Sequence, residues 1–286
     1  MKRIAISFIV LVSLALAGCG GPTPQPPTPT PKLTATPEPT KEAPVKETPV
    51  KEEEAPEGMI HIPAGEFIMG SDQGDDDEKP IHKVTLDAYE IDKFEVTNAQ
   101  FAAFAEATGY QTEAEKTGKS ETWRTYAEGK DDYPVVEVTW NDAEAYCRWA
   151  GKRLPTEAEW EKAARGTDGR EYPWGNEWEE GKANTFEAGV GDTAPVGSYL
   201  EGASPYGVMD MAGNVWEWVA DWYEYDYYEK SPDRNPQGCE TGFYKILRGG
   251  SWYYDNSYAR SAARLRFDPV SSDSSWGFRC ARSAQQ

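Results

Sequence analysis

The sequence predicts an α+β domain with a small share of regular secondary structure. Residues 59–91 contain short runs of alternating apolar and polar residues, and three segments between Thr97 and Gly166 begin with helix-capping residues. Beyond Gly166 the chain is rich in Gly, Trp, Tyr, Asn and Asp and has few periodic runs. Long irregular segments in a compact domain are usually functional or held by ions. The roughly 229 residues from 58 to 286 are enough for one domain with a full hydrophobic core.

The first elements are strands. Residues 59–70 are typical of a short strand pair around a Pro-Ala-Gly turn, and residues 84–91 alternate as a further strand does. Three helices follow, each opened by a capping residue and its partner three residues later and closed by glycine. The helix starts are Thr97 with Gln100, Asn141 with Glu144, and Thr156 with Glu159, and the stops are Gly109, Gly151 and Gly166.

Residues 1–19 predict a lipoprotein signal peptide. A basic start and a short apolar run lead to the lipobox Leu16-Ala17-Gly18-Cys19, and the run is too short for a permanent membrane span. An ordinary cleaved signal with an incidental cysteine is the alternative. Because Cys19 directly follows small residues and a polar tail begins at once, we expect lipidation of Cys19. The protein would then be anchored to a membrane in the cell envelope, on the extracytoplasmic side, facing the periplasm or the cell surface.

Residues 20–57 predict a disordered linker between this anchor and the domain at 58–286. The segment repeats Pro with Thr, Glu and Lys, and it has too little apolar surface to offset the entropy of ordering. As an extended chain it would reach up to about 100 Å. It is either a spacer that lifts the domain off the membrane or a linker without a length requirement.

Charge and cysteine content limit the partners. The formal charge is −20, and all but one unit of it lies beyond residue 57, which argues against nucleic acid as a partner and is compatible with bound divalent cations. Three further cysteines, Cys147, Cys239 and Cys280, follow Cys19. In an exported domain three thiols suggest one disulfide and one free thiol.

Four phrases carry a resemblance to a known family. They are KRLPTEAEW at 152–160, DMAGNVWEW at 210–218, LRGGSW at 247–252 and GFRC at 277–280. In this order the segment from Gly58 to Cys280 resembles the formylglycine-generating enzyme (sulfatase-modifying factor) family. The resemblance implies an irregular fold of the C-type-lectin-like kind, a disulfide between Cys147 and Cys280, and therefore a free Cys239.

The resemblance also implies structural Ca²⁺, an ion that takes six to eight oxygen ligands. In the first family site two carboxylates, here Asp210 and Glu217, face each other across a glycine turn. We expect no cation other than the bound ion to offset their repulsion. The predicted ligands of this site are Asp210, Gly213, Val215 and Glu217, and those of a second site are Asn184, Thr185 and Asp192.

The chain departs from the family at the catalytic centre. The oxidase holds Cu(I) with two cysteines between the closing phrases, and the matching positions here are Ala259 and Ser261. Neither alanine nor a neutral serine hydroxyl replaces a thiolate. A three-histidine iron site is also excluded, since the chain has two histidines, His61 and His82. We therefore expect no copper, no iron and no catalytic residue. The alternative is a sulfatase-maturing oxidase, or an accessory factor, that uses a non-standard centre.

Residues 253–276 are typical of a binding surface. They combine Tyr and Trp with Ser, Asn, Asp and a few Arg, as antibody paratopes do, and resemble the ligand-facing segment of lectin-fold variable proteins. The alternative is a stretch packed into an aromatic core. The sequence thus predicts a calcium-stabilised module for a protein, peptide or glycan ligand. The predicted ligand-binding residues are Tyr253, Tyr254, Asp255, Asn256, Tyr258, Arg260, Arg264 and Trp276.

Overall fold

The structure is a computed structural model and describes residues 56–284. The predicted signal peptide, Cys19 and the linker up to residue 55 lie outside the described residues. Within residues 56–284 no helix is both long and apolar enough to cross a membrane.

The α+β prediction is confirmed, and the regular elements are short. The strands are β1 (Met59–Ile62), β2 (Gly65–Met69), β3 (His82–Leu86), β4 (Tyr89–Asp92), β5 (Trp216–Trp222), β6 (Lys245–Arg248), β7 (Arg264–Phe267), β8 (Trp276–Gly277) and β9 (Ala281–Ser283). The helices are α1 (Asn98–Thr108), α2 (Glu113–Lys116), α3 (Trp123–Ala127), α4 (Trp140–Trp149), α5 (Glu157–Arg165) and α6 (Tyr227–Lys230).

The strands form three small sheets, ordered β1-β4-β9, β2-β3 and β7-β6-β5-β8. The predicted strand pair at 59–70 is therefore corrected, because β1 pairs with β4 and β2 pairs with β3. The strand expected at 84–91 is divided into β3 and β4. In the largest sheet β8 runs parallel to β5, with Trp216 opposite Trp276 and Glu217 opposite Gly277.

Two of the three predicted helix starts are confirmed. Thr97 and Thr156 cap α1 and α5, and each makes a reciprocal capping box with the residue three positions later. Helix α4 begins two residues earlier than predicted. Its cap is Thr139, whose backbone N–H and hydroxyl both donate to the Asp142 carboxylate, at 2.9 and 2.7 Å. Asp142 closes this box, so Asn141 and Glu144 lie inside the helix.

Two large hydrophobic clusters form most of the core of the described residues. One packs strands β1 to β4 against α5, and the other packs α1 and α4 against the sheet that contains β5. The disulfide between Cys147 and Cys280 crosses the second cluster and joins α4 to the segment just before β9, as the family resemblance implies. Cys239 is the free cysteine of the described residues.

Candidate functional site

A loop at 251–259 forms the exposed part of the predicted binding segment. Ser251 and Ala259 at its two ends are fully buried. Gly250 has a φ of 76°, and a Cβ there would meet the Tyr258 carbonyl oxygen at 2.8 Å. The glycine therefore lets the loop fold back closely on its own start, and the loop is fixed at both ends.

Two tyrosines of this loop pack over a buried tryptophan. The ring centroids of Tyr254 and Tyr258 lie 5.9 and 6.2 Å from that of Trp216, and 5.0 Å from each other, in edge-to-face contacts. Trp216 is fully buried, and its indole Nε1 has no hydrogen-bond partner. Tyr253 is 64% exposed and Tyr258 is 38% exposed. The loop thus presents rigid rings on a packed support.

A second loop, at 185–191, lies against this one. The Phe186 N–H donates to the Tyr254 carbonyl oxygen at 2.9 Å, and the Asn256 N–H donates to Glu187 Oε1 at 3.1 Å. Phe186 is largely exposed. We call Phe186, Tyr253, Tyr254 and Tyr258 the aromatic face. Phe186 was missed because only the folded chain brings it beside Tyr254, and no local pattern marks it.

Three residues predicted to face a ligand belong to the framework instead. Trp276 is 5% exposed and packs against Trp218 and Phe267, so it cannot contact a ligand from solvent. Arg264 is buried and its Nε donates to Glu157 at 2.8 Å. Arg260 donates through both terminal nitrogens to Glu78, each at 2.6 Å, and is largely covered.

The polar residues of the segment are better placed. Asp255 is exposed, and its carboxylate accepts from the Ser257 N–H at 3.0 Å. Asn256 is partly exposed. Of the predicted residues, the structure brings Tyr253, Tyr254, Tyr258 and these two together at one surface.

The predicted first calcium site lies in the interior, around Glu217. Glu217 is fully buried and accepts two hydrogen bonds of 2.7 Å from Arg279, and one of 2.9 Å from Trp160 Nε1. Asp210 accepts from the Gly197 N–H at 2.6 Å. Gly213 and Val215 lie buried on the turn between them. The expectation that no other cation offsets the two carboxylates is corrected, because Arg279 does so.

A third carboxylate, Glu95, joins this cluster and was missed by the sequence analysis. It is buried, one of its oxygens has no hydrogen-bond partner, and the other accepts from Asn214 at 3.3 Å. Burial, and then the neighbouring Asp210 carboxylate, raise the pKa of Glu95 well above its usual range. Burial likewise raises the pKa of Asp210. Three buried carboxylates thus share one guanidinium.

This donor set fits a hard cation such as Ca²⁺, since it holds a buried oxygen without a hydrogen-bond partner, and a bound cation would favour the ionised form of the three carboxylates. In the described residues no three His, Cys, Asp or Glu side chains converge closely enough to hold an ion by themselves. Carbonyl oxygens, such as those of Gly213 and Val215, would have to complete the shell.

The predicted second calcium site is only partly assembled. Asn184 is buried, its amide nitrogen donates to the Asp192 carbonyl oxygen at 3.0 Å, and its Oδ1 has no partner. That free oxygen fits a cation. The Asp192 carboxylate, however, is half exposed and binds Lys130 at 2.6 Å. Thr185 is buried next to Asn184. Asn184 also donates to Asn214 at 3.1 Å, which links the two predicted sites.

The positions matched to the family's cysteine pair are both buried. Ala259 and Ser261 are fully covered, and the Ser261 hydroxyl has no hydrogen-bond partner. Cys239 lies elsewhere, in the connection between β5 and β6, where its backbone forms a β-bridge with Trp222. Its thiol donates to Glu224 at 2.6 Å. Burial and this carboxylate raise the pKa of Cys239 to about 11, so the thiol is neutral at physiological pH.

The raised pKa predicts slow alkylation of Cys239. Because the thiolate is the reactive form, labelling at pH 8 should be about a hundredfold slower than for a thiol of ordinary pKa. The rate of iodoacetamide labelling, followed by mass spectrometry, should still rise about tenfold per pH unit up to pH 9.5. Glu224→Gln should accelerate it. A plateau reached below pH 9 would contradict the assignment.

Comparisons with known proteins agree with this architecture. The model of the sulfatase-modifying factor enzyme 1-like domain matches residues 45–284. Over 283 residues the chain is 41% identical to the formylglycine-generating enzyme of Streptomyces coelicolor, covering 79% of this chain and 90% of that enzyme. It is 38% identical over 280 residues to the mouse protein named inactive C-alpha-formylglycine-generating enzyme 2, covering 79% of this chain and 86% of that protein.

The solved structure of PvdO from Pseudomonas aeruginosa superposes with a TM-score of 0.67 at 30% identity, covering 79% of this chain and 94% of that one. The match of the family model and the identity to the Streptomyces enzyme both extend over most of the described residues. The chain therefore belongs to the sulfatase-modifying factor enzyme 1-like family.

Proposed function

We propose that this protein is an exported lipoprotein whose domain binds a ligand and has no copper oxidase activity. The observation that carries the proposal is the missing thiolate pair. The segment from Glu240 to Arg279 contains no cysteine, and the free thiol of the described residues, Cys239, is neutral and bound to Glu224. A relative named as inactive supports the view that a chain of this family can work without oxidase chemistry.

The aromatic face is the proposed ligand surface. Tyr253 and Tyr258 lose little conformational entropy on binding, because the loop that carries them is anchored at Ser251 and Ala259. Asp255 and Asn256 add hydrogen-bonding groups at the same surface. A protein, peptide or glycan with an apolar or ring face suits this mixture. Lipidated Cys19 and the linker would hold the domain outside the membrane, at the cell envelope.

Two assays test the proposal. Incubated with copper, oxygen, a thiol reductant and a Cys-x-Pro-x-Arg peptide, the protein should give no formylglycine by mass spectrometry, with the Streptomyces enzyme as positive control. On glycan, peptide and cell-surface protein arrays, Tyr253→Ala and Tyr258→Ala should abolish the signal that the unmodified protein gives. Leu200→Ala, at an exposed site elsewhere, should leave it unchanged.

The rival function, an oxidase with a non-standard centre or an accessory factor for sulfatases, is favoured by the 41% identity to a formylglycine-generating enzyme. Formylglycine production that disappears in Cys239→Ala would establish it and overturn our proposal. Unfolding of the two tyrosine variants, seen as a large fall in Tm, would instead show that the aromatic face is part of the core.

Calcium should stabilise the domain through the predicted sites. At a hundredfold excess over Kd, an ion that binds only the folded state adds about 2.7 kcal/mol. EGTA should therefore lower the Tm of the wild type, and Asp210→Ala should reduce this response. Asp76→Ala is the matched control, because it removes an exposed carboxylate that is distant in sequence from Asp210. The same Tm with EGTA as with added Ca²⁺ would exclude a structural calcium ion.

A further inference from the structure

A second surface lies in the connection between β5 and β6, outside the aromatic face and the carboxylate cluster. Residues 223–225 and 239–244 line an open pocket of about 500 Å³. Four aromatic rings and two carboxylates dominate its lining. We call it the hairpin pocket, and the residues that matter for its chemistry are Tyr223, Glu224, Tyr225, Glu240, Phe243 and Tyr244.

The walls of the hairpin pocket are held in place. The Tyr223 N–H donates to the Tyr244 carbonyl oxygen at 2.8 Å, and Trp222 forms a β-bridge with Cys239. The Tyr223 hydroxyl donates to Asp77 at 2.7 Å, and the Cys239 thiol donates to Glu224. The two chain segments are therefore tied together at several points.

Three of the rings are strongly exposed: Phe243 by 89%, Tyr225 by 57% and Tyr244 by 47%. Adjacent exposed aromatic side chains are uncommon on a soluble surface and mark interaction sites. Nothing in the fold requires Phe243, since its side chain makes almost no buried contact.

The charge of the hairpin pocket selects a cation. Glu224 and Glu240 line it, and no Lys or Arg does. Glu224 already binds Lys230 at 2.7 Å and the Cys239 thiol, whereas Glu240 has no ion-pair partner in the described residues. The negative charge of the whole domain adds to this preference.

Aromatic rings at and beside the end of β5 already bind cations within the protein. The Lys245 ammonium lies 3.9 Å from the Trp222 ring centroid and 4.0 Å from that of Trp140. The Arg266 guanidinium lies 4.3 Å from the ring centroid of Tyr223. The three exposed rings of the hairpin pocket, those of Tyr225, Phe243 and Tyr244, have no Lys or Arg of the described residues placed over them in this way.

We propose that the hairpin pocket binds a small soluble molecule with a quaternary ammonium group. Such a group is attracted by aromatic faces and by a free carboxylate, and it needs no hydrogen-bond acceptors. A primary ammonium is more strongly hydrated, and the pocket offers one carboxylate that is not already paired to offset the loss of that water. The ligand class is thus an alkylated organic cation of the choline type.

The test compares choline with 3,3-dimethylbutan-1-ol, which has the same shape and no charge. Titrated into the purified full chain and followed by calorimetry, choline should bind saturably and about tenfold more tightly than the neutral isostere. Phe243→Ala and Glu240→Gln should each weaken choline binding severalfold at unchanged Tm. Leu200→Ala, at an exposed apolar side chain outside both the pocket and the aromatic face, should have no effect.

Equal affinity for the two compounds would show an apolar groove without cation selection. Absence of saturable choline binding, or binding that Phe243→Ala leaves intact, would overturn the site. Co-sedimentation with phosphatidylcholine vesicles in the absence of binding to free choline would assign the pocket to a lipid surface and overturn the proposed soluble ligand. None of these results depends on the aromatic face, so the hairpin pocket and the proposed function can fail separately.

Discussion

Replacing Arg279 with leucine is expected to destabilise the domain by about 3–5 kcal/mol. Arg279 is fully buried and makes two hydrogen bonds of 2.7 Å to Glu217 and one of 2.9 Å to the Met209 carbonyl oxygen. Without it, Glu217, Asp210 and Glu95 would be three buried carboxylates with no positive side chain to offset them. The large cost arises from the charge left behind, since a buried ion pair adds little beyond its own desolvation.

Urea denaturation of the wild type and the variant, both with EGTA, measures this loss. Arg279→Lys should recover only part of it, because an ammonium cannot reproduce the two-pronged contact. Arg148→Leu is the matched control: Arg148 pairs with Glu144 on the exposed side of α4, and its loss should cost less than about 0.5 kcal/mol. A change below about 1 kcal/mol for Arg279→Leu would mean that protons neutralise the cluster. Repeating the experiment with Ca²⁺ should reduce the loss if the predicted ion binds there.

The sequence predicted well those features that depend on a few neighbouring residues. The capping boxes of α1 and α5 are complete within four residues, so Thr97 and Thr156 could be recognised directly. Strand pairing is not local. The short strands β1 and β2 follow one another and could have formed a hairpin, yet each pairs with a strand further along the chain. No local pattern distinguishes these partners.

The same distinction applies to the carboxylate cluster. Asp210 and Glu217 flank one turn within a motif that the family resemblance covers, whereas Glu95 and Arg279 come from distant parts of the chain. Arg279 reaches Glu217 because β8 lies parallel to β5 with Gly277 opposite Glu217, and Arg279 follows two residues later. Such a pairing of non-adjacent strands is a property of the whole fold.

Composition also could not separate exposed from buried residues in 253–276. Tyrosine, tryptophan and arginine suit a ligand surface and an aromatic core equally well. The parallel pairing that places Arg279 also buries Trp276, opposite Trp216. Arg264 lies at the start of β7 and is covered by Glu157 of α5. The predicted ligand surface therefore stays a prediction for the loop at 253–258. For Arg260, Arg264 and Trp276 it is corrected, since their side chains are largely or fully covered.

Loss of the disulfide between Cys147 and Cys280 is expected to cost about 5 kcal/mol in the chain-entropy model, since the bond closes a loop across 133 residues. The bond ties α4 to the segment before β9 inside the second hydrophobic cluster. Without it, the unfolded chain gains conformational freedom while the folded packing stays nearly the same.

The double variant Cys147→Ala/Cys280→Ala and the wild type treated with dithiothreitol should lose similar amounts of stability in urea denaturation. The reduced wild type keeps both side chains, so agreement between the two assigns the loss to the covalent link rather than to the small cavity left by alanine. Cys239→Ala is the matched control and should change the free energy of unfolding by less than about 1 kcal/mol, because Cys239 is half-buried and closes no loop. A double variant that loses less than about 1 kcal/mol would mean that the unfolded chain is already compact, or that packing alone holds α4 against β9.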